Sequence, residues 1–229
     1  MGGLAMGKYN VQKKQVLDCI MALVEQGFVQ GTGGNVSLLL QGGSAVAVTP
    51  SQREYATMTP DDICVVDLDL RPLEEAGAAP SMETAMHLAI YRSRPDAGAI
   101  VHTHQIFASV FSLINEPIPA LFDEVAGAIG PKVEIVPYAL SGSKELVDNV
   151  VSKLGNRANC YILQNHGALS LGRDLDHARR NAELLEKAAQ VYYYALATGR
   201  AVSVLPQEVQ DLMSLIIVDR QDEEIKRRR

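Results

Sequence analysis

Apolar residues recur at helical spacing at Val16, Ile20, Leu23 and Val24, and Gly27 then stops that helix as a C-cap. A glycine-rich turn, Gly31 to Asn35, leads into the strand-like run Val36–Leu40. Ala45–Thr49 reads as a second strand ended by Pro50, and Ile63–Leu68 as a third. Pro80-Ser81 opens a helix running to about Arg92, with Ser81 as its N-cap. Ala99–Thr103 and Cys160–Gln164 are short unbroken apolar runs, the pattern of buried strands. Leu146, Val147, Val150, Val151 and Leu154 form a helical stripe closed by Gly155. Leu175, Ala178, Ala182, Leu185, Ala189 and Tyr192 mark a long helix ended by Gly199, and Val209, Leu212, Met213 and Ile216 a last one. Strands interleaved with helices place the chain in the α/β class, without setting the order of strands.

Composition narrows the function. The 229 residues show no seam, so a single domain over 1–229 is expected, with 1–8 disordered and 220–229 a frayed, charged tail. The net charge of −6 and the lack of a basic face speak against nucleic acid as a partner. The longest uncharged stretch, Ala97–Asn115, carries two histidines and several hydroxyl and amide side chains, which a membrane span would not. Cys19, Cys64 and Cys160 are odd in number and lack metal or redox spacing. They read as reduced core residues of a cytoplasmic protein, as does a start, Met1–Lys8, without a signal-peptide stretch.

The candidate chemistry begins at His102-Thr103-His104. On a strand, residues two apart share a face, so the imidazoles would form a two-point chelate for a borderline metal such as zinc. The pair alone reads equally well as two strand-end histidines satisfied locally. His166 stands where a buried strand runs out before Gly167, and as a third ligand would leave one coordination position open, as catalytic sites do. Glu83, in the first turn of its helix, is explained either by the helix dipole or as a ligand or general base beside a metal. His87 reads as a packed helix histidine and His177 as a surface one. The Gly31–Asn35 turn could offer backbone N–H groups to an anion, with Thr49, Ser51 and Ser81 adding hydroxyls.

Taken in order, GTGGNVS, VTPS, PSMETAMHLAIYRSRPD, AIVHTH, QNHG and the long helix with Leu185-Glu186 resemble the class II aldolase/adducin family, from about Gln15 to Gly199. The resemblance implies a three-layer α/β/α sandwich around a largely antiparallel sheet. It implies one divalent metal per subunit on His102, His104 and His166, with Glu83 a resting ligand that swings away to act as acid/base. Three imidazoles suit zinc, with manganese, cobalt or iron as alternatives. Asn35, Thr49, Ser51 and Ser81 would surround a small-molecule substrate's phosphate, and the family implies a homotetramer with sites between subunits.

The expected activity is retro-aldol cleavage of a ketose phosphate or similar hydroxy-carbonyl compound through a metal-stabilised enediolate. The pattern departs from the family at Gln52 and Met82, where a glycine and a second serine are usual, while Arg53 offers a bidentate contact to phosphate or carboxylate. Leu121–Glu124 stand where a tyrosine proton donor is expected, and no tyrosine follows Tyr194. These departures keep a decarboxylase as the first alternative, and a 4-epimerase with Asp123 as acid/base as the next. An adducin-like binding module is the non-enzymatic reading.

Overall fold

The computed structural model describes residues 8–228. The chain folds as α1 (Asn10–Glu25), β1 (Asn35–Leu39), β2 (Ala45–Val48), β3 (Cys64–Asp67), α2 (Thr84–Ser93), β4 (Ala99–Thr103), α3 (Ile106–Ile114), β5 (Ile118–Pro119), α4 (Asp123–Ile129), β6 (Lys132–Val136), α5 (Lys144–Lys153), β7 (Cys160–Leu163), β8 (Gly167–Gly172), α6 (Leu175–Ala197) and α7 (Gln207–Arg228). One eight-stranded sheet runs β3-β2-β1-β4-β8-β7-β6-β5. Every neighbouring pair is antiparallel except β6 and β7, which α5 joins as a parallel crossover.

Side chains alternate across this sheet into two cores. Val46, Val48, Ile100, Tyr161, Leu163, Leu169 and Leu171 face α2 and α5, packing on Met86, Ile90, Leu146 and Val150. Val36, Ala47, Val65, Ala99 and Val101 face the other way onto α1 and α6, as do Cys160, Ile162 and Ala168 onto α3, α4 and α6. A helix layer on each face is the three-layer sandwich expected, and the sheet is largely antiparallel. Burial on both faces explains why β4 and β7 read as unbroken apolar runs.

Several elements had no clear signal. The segment between His104 and Ser143 supplies α3, β5, α4 and β6, each short and set by packing more than by its own period. β8 was also unassigned, because its glycines and serine mask a strand that is buried along its whole length.

Two expectations are corrected. Ser81 does not cap a helix: its N–H donates to Thr49 O at 3.1 Å and Pro80 bridges to Pro50, which ties it to the β2 loop. The helix therefore begins at Thr84 with Glu83 in the cap position. The 220–229 tail is not frayed, because through Arg228 it forms the last turns of α7. Arg228 pairs with Glu224 at 3.0 Å and donates to Ala97 O and Arg173 O at 2.7 and 2.8 Å, holding the helix end on the sheet. Of the 1–8 segment expected to be disordered, 1–7 lies outside the described residues. No helix among the described residues is long and apolar enough to cross a membrane, and all three cysteines are buried and unbridged.

Candidate metal centre

The site gathers where β1 starts and β4 ends. Asn35 of β1 and His102 of β4 are register partners, so both side chains emerge on the α2 face. His104 lies one residue past β4, yet its N–H donates to Phe28 O at 2.8 Å, keeping the chain extended and its ring beside His102. The rings of His102 and His104 are 4.8 Å apart between centroids.

His166 arrives from the β7–β8 hairpin. Leu163 pairs with Gly167, leaving Gln164, Asn165 and His166 as the loop. Asn165 takes the left-handed conformation, φ 54°, that such a turn requires. Gly167 makes room for the histidines. A Cβ there would lie 2.4 Å from Thr103 O and 2.6 Å from His104 Cδ2, so only glycine lets β8 pass this close behind the histidines. Gly33 does the same on the other side, where a Cβ would meet His104 Nδ1 at 2.9 Å. Tyr55 steadies that turn by donating to the carbonyls of Gly33 and Gly34 at 3.1 and 2.7 Å.

The donor atoms of His102, His104 and His166 all lie within 4.8 Å of one another. His102 Nδ1 meets Ala168 O at 2.9 Å, which commits its proton to that carbonyl and leaves the Nε2 lone pair pointing inward. That Nε2 lies 3.0 Å from His104 Nε2 and 3.2 Å from Glu83 Oε2. Glu83 Oε1 lies 3.3 Å from His166 Nε2. Lone pairs and a carboxylate converging at this distance repel one another unless positive charge stands between them, so the donor set suits a divalent cation.

Glu83 is buried, which alone would raise its pKa. His102, His166 and the hydrogen bonds from Ser141 and Asn35 outweigh burial and hold it ionised, well below the usual carboxylate range. Burial presses His102 and His104 downward, toward the neutral form that metal ligation needs.

The other expected site residues divide. Asn35 belongs to the centre, donating through Nδ2 to Glu83 Oε2 at 2.8 Å. Thr49 is buried and its hydroxyl accepts from Val36 N at 3.1 Å, while Ser51 N bonds Ala79 O at 2.8 Å. With Ser81, whose hydroxyl accepts from Glu83 N at 3.3 Å, they form a zipped pair of loops beside Glu83. Arg53 directs its guanidinium to Asp62, at 2.8 and 3.2 Å. Asp123 is exposed in the first turn of α4. Met82 is exposed next to Glu83, and Gln52 adopts φ 54°, a backbone shape that favours glycine.

One participant had no sequence signal. Ser141 donates to Glu83 Oε1 at 2.8 Å from the loop before α5. In the sequence it is one of two serines around Gly142, and the second, Ser143, caps α5.

The chain matches the family model described as Class II Aldolase and Adducin N-terminal domain over residues 14–193. It is 36% identical over 199 residues to an L-fuculose phosphate aldolase of Escherichia coli, covering 87% of this chain and 90% of that protein. A 5-deoxy-D-ribulose 1-phosphate aldolase of Bacillus thuringiensis is 31% identical over 201 residues, covering 88% and 93%. A solved L-fuculose 1-phosphate aldolase superposes with a TM-score of 0.81 at 32% identity, covering 89% of this chain and 94% of that one.

Proposed function

The chain belongs to the class II aldolase and adducin family, and from that premise we propose that it is a divalent-metal-dependent carbon–carbon lyase acting on a sugar phosphate or similar hydroxy-carbonyl compound. One observation carries the reading: three histidine donor atoms converge with an ionised, buried Glu83 spanning two of them. His102, His104 and His166 would hold the cation, and imidazole donors favour zinc. When bound it supplies Lewis-acid stabilisation of negative charge on a substrate oxygen. Retro-aldol cleavage needs a base that removes a hydroxyl proton and an acid that returns one to the other fragment. Glu83 is the group to carry that proton, with Asn35 and Ser141 each holding one carboxylate oxygen in place. Asn35, Thr49, Ser51 and Ser81 would be the groups that orient the substrate beside it.

The aldolase names of the relatives support cleavage over other outcomes. The decarboxylase alternative leaned on Arg53 as a carboxylate clamp, and pairing with Asp62 leaves that guanidinium less free to serve. We extend the reading to a cytoplasmic homotetramer, for which the exposed apolar side chains Ile106, Leu113 and Leu140 would be contact candidates.

The test is metal analysis joined to product analysis. Purified protein should contain stoichiometric divalent metal. It should release an aldehyde from L-fuculose 1-phosphate or 5-deoxyribulose 1-phosphate and lose that activity on chelation. His102→Ala should abolish both metal and activity. A metal-free chain indifferent to His102→Ala would end the proposal, and carbon dioxide release without aldehyde would move it to decarboxylation.

A further inference from the structure

α2 meets β1 through a row of buried polar contacts. Asn35 and Ser37 share one face of β1, about 7 Å apart along the strand. Glu83 caps α2 and His87 lies one helical turn into it, a rise of about 6 Å. The two spacings match, so each strand residue meets one helix residue. Asn35 Nδ2 donates to Glu83 Oε2 at 2.8 Å, and Ser37 Oγ lies 2.7 Å from His87 Nδ1. Tyr91, a further turn along, brings its hydroxyl to the same Ser37 Oγ at 2.7 Å. Asn35, Ser37, Glu83, His87 and Tyr91 are all buried, and apolar Met86, Leu88, Ile90 and Ile100 belong to the core on this face.

A histidine at this position is a poor choice for stability alone. Its Nε2 is buried and finds no hydrogen-bond partner among the described residues, which is destabilising. Burial also presses the ring toward its neutral form, down to about 3. A leucine would fill similar space without an orphaned nitrogen. What leucine cannot do is bond Ser37, one helical turn from Glu83.

We infer that His87 is a positioning residue for Glu83: through Ser37 it fixes the roll and height of α2 on β1, so that the Glu83 carboxylate sits between His102 and His166. The inference rests on the metal reading above. A carboxylate needs to be held to within about 0.5 Å to serve such a centre, and one unpinned helix turn is enough to lose that.

The test uses metal-free protein titrated with Co2+, whose visible absorption reports ligand geometry, alongside thermal melting of the same metal-free samples. His87→Leu should melt at or above the wild-type temperature, yet bind Co2+ about 10–100-fold more weakly with a changed spectrum. His87→Gln, which keeps a polar group able to reach the Ser37 hydroxyl, should recover most of the affinity. Ser37→Ala should reproduce the loss, and it decides the matter if His87→Leu does not fold. A wild-type chain that binds Co2+ one-to-one, beside variants with unchanged affinity and spectrum, overturns the inference alone. So does a loss that His87→Gln shares in full. A wild-type chain that binds no Co2+ overturns the metal reading and this inference with it.

Discussion

Replacing Gly167 with alanine is a one-methyl change, and its consequence can be worked from the structure. The new Cβ would stand 2.4 Å from Thr103 O, 2.6 Å from His104 Cδ2 and 3.3 Å from His102 Cε1. An ordinary contact begins near 3.4 Å, so Thr103 O or β8 must retreat by about 1 Å, and the His104 ring by about 0.8 Å. The Thr103 carbonyl is not free to yield, since Thr103 pairs with Ala168 in the β4–β8 ladder. His104, outside the strand, gives way most readily. Metal–nitrogen distances tolerate only about 0.2 Å, several times less than this displacement. Overpacking of this kind costs about 1–3 kcal/mol of stability, which leaves a folded protein. Gly167→Ala should therefore lose about 10–100-fold in zinc affinity, measured by chelator competition, with only a moderate fall in melting temperature. Gly155, where a Cβ would meet nothing within 4 Å, is the control, and Gly155→Ala should bind zinc as the wild type does. Wild-type zinc affinity in Gly167→Ala would refute the claim that this glycine exists to let the strand pass behind the ligands.

Two further predictions follow from buried charge and from α7. Burial lowers the pKa of His87 from 6.5 to about 3, so the unfolded chain takes up this proton first. The stability that the neutral ring contributes is fully present above about pH 6.5 and drains as pH falls toward 3, at up to about 1.4 kcal/mol per pH unit. His102 and His104 are lowered too and act in the same direction in metal-free protein. Urea melts of metal-free protein at pH 7.5, 6 and 5 should show a shallower decline in His87→Leu than in wild type, and equal slopes would contradict this. Arg228→Ala should cost about 1–3 kcal/mol by releasing Ala97 O and Arg173 O. It should also speed amide exchange in the last turn of α7, and unchanged exchange there would show that the guanidinium does not hold the helix end.

What the sequence determined by itself was what is local or periodic. Stripes at helical spacing marked α1, α5 and α6, and unbroken apolar runs marked β4 and β7, because these elements are buried by their own side-chain pattern. The candidate ligands were legible for a similar reason: His102 and His104 are two apart on an extended chain, and the order of motifs carried His166 and Glu83. Tertiary structure alone decided the rest. Ser141 reaches Glu83 across 58 residues of sequence, and nothing in a serine beside a glycine announces a carboxylate so far along the chain. Arg53 looked like a free clamp until Asp62 stood beside it, and the charged tail looked frayed until its arginine found two strand-end carbonyls. β8 and the His87–Ser37 contact depend on what packs against them from elsewhere in the chain. Periodicity reports which face of an element is buried, whereas partners distant in sequence are set by how the layers meet.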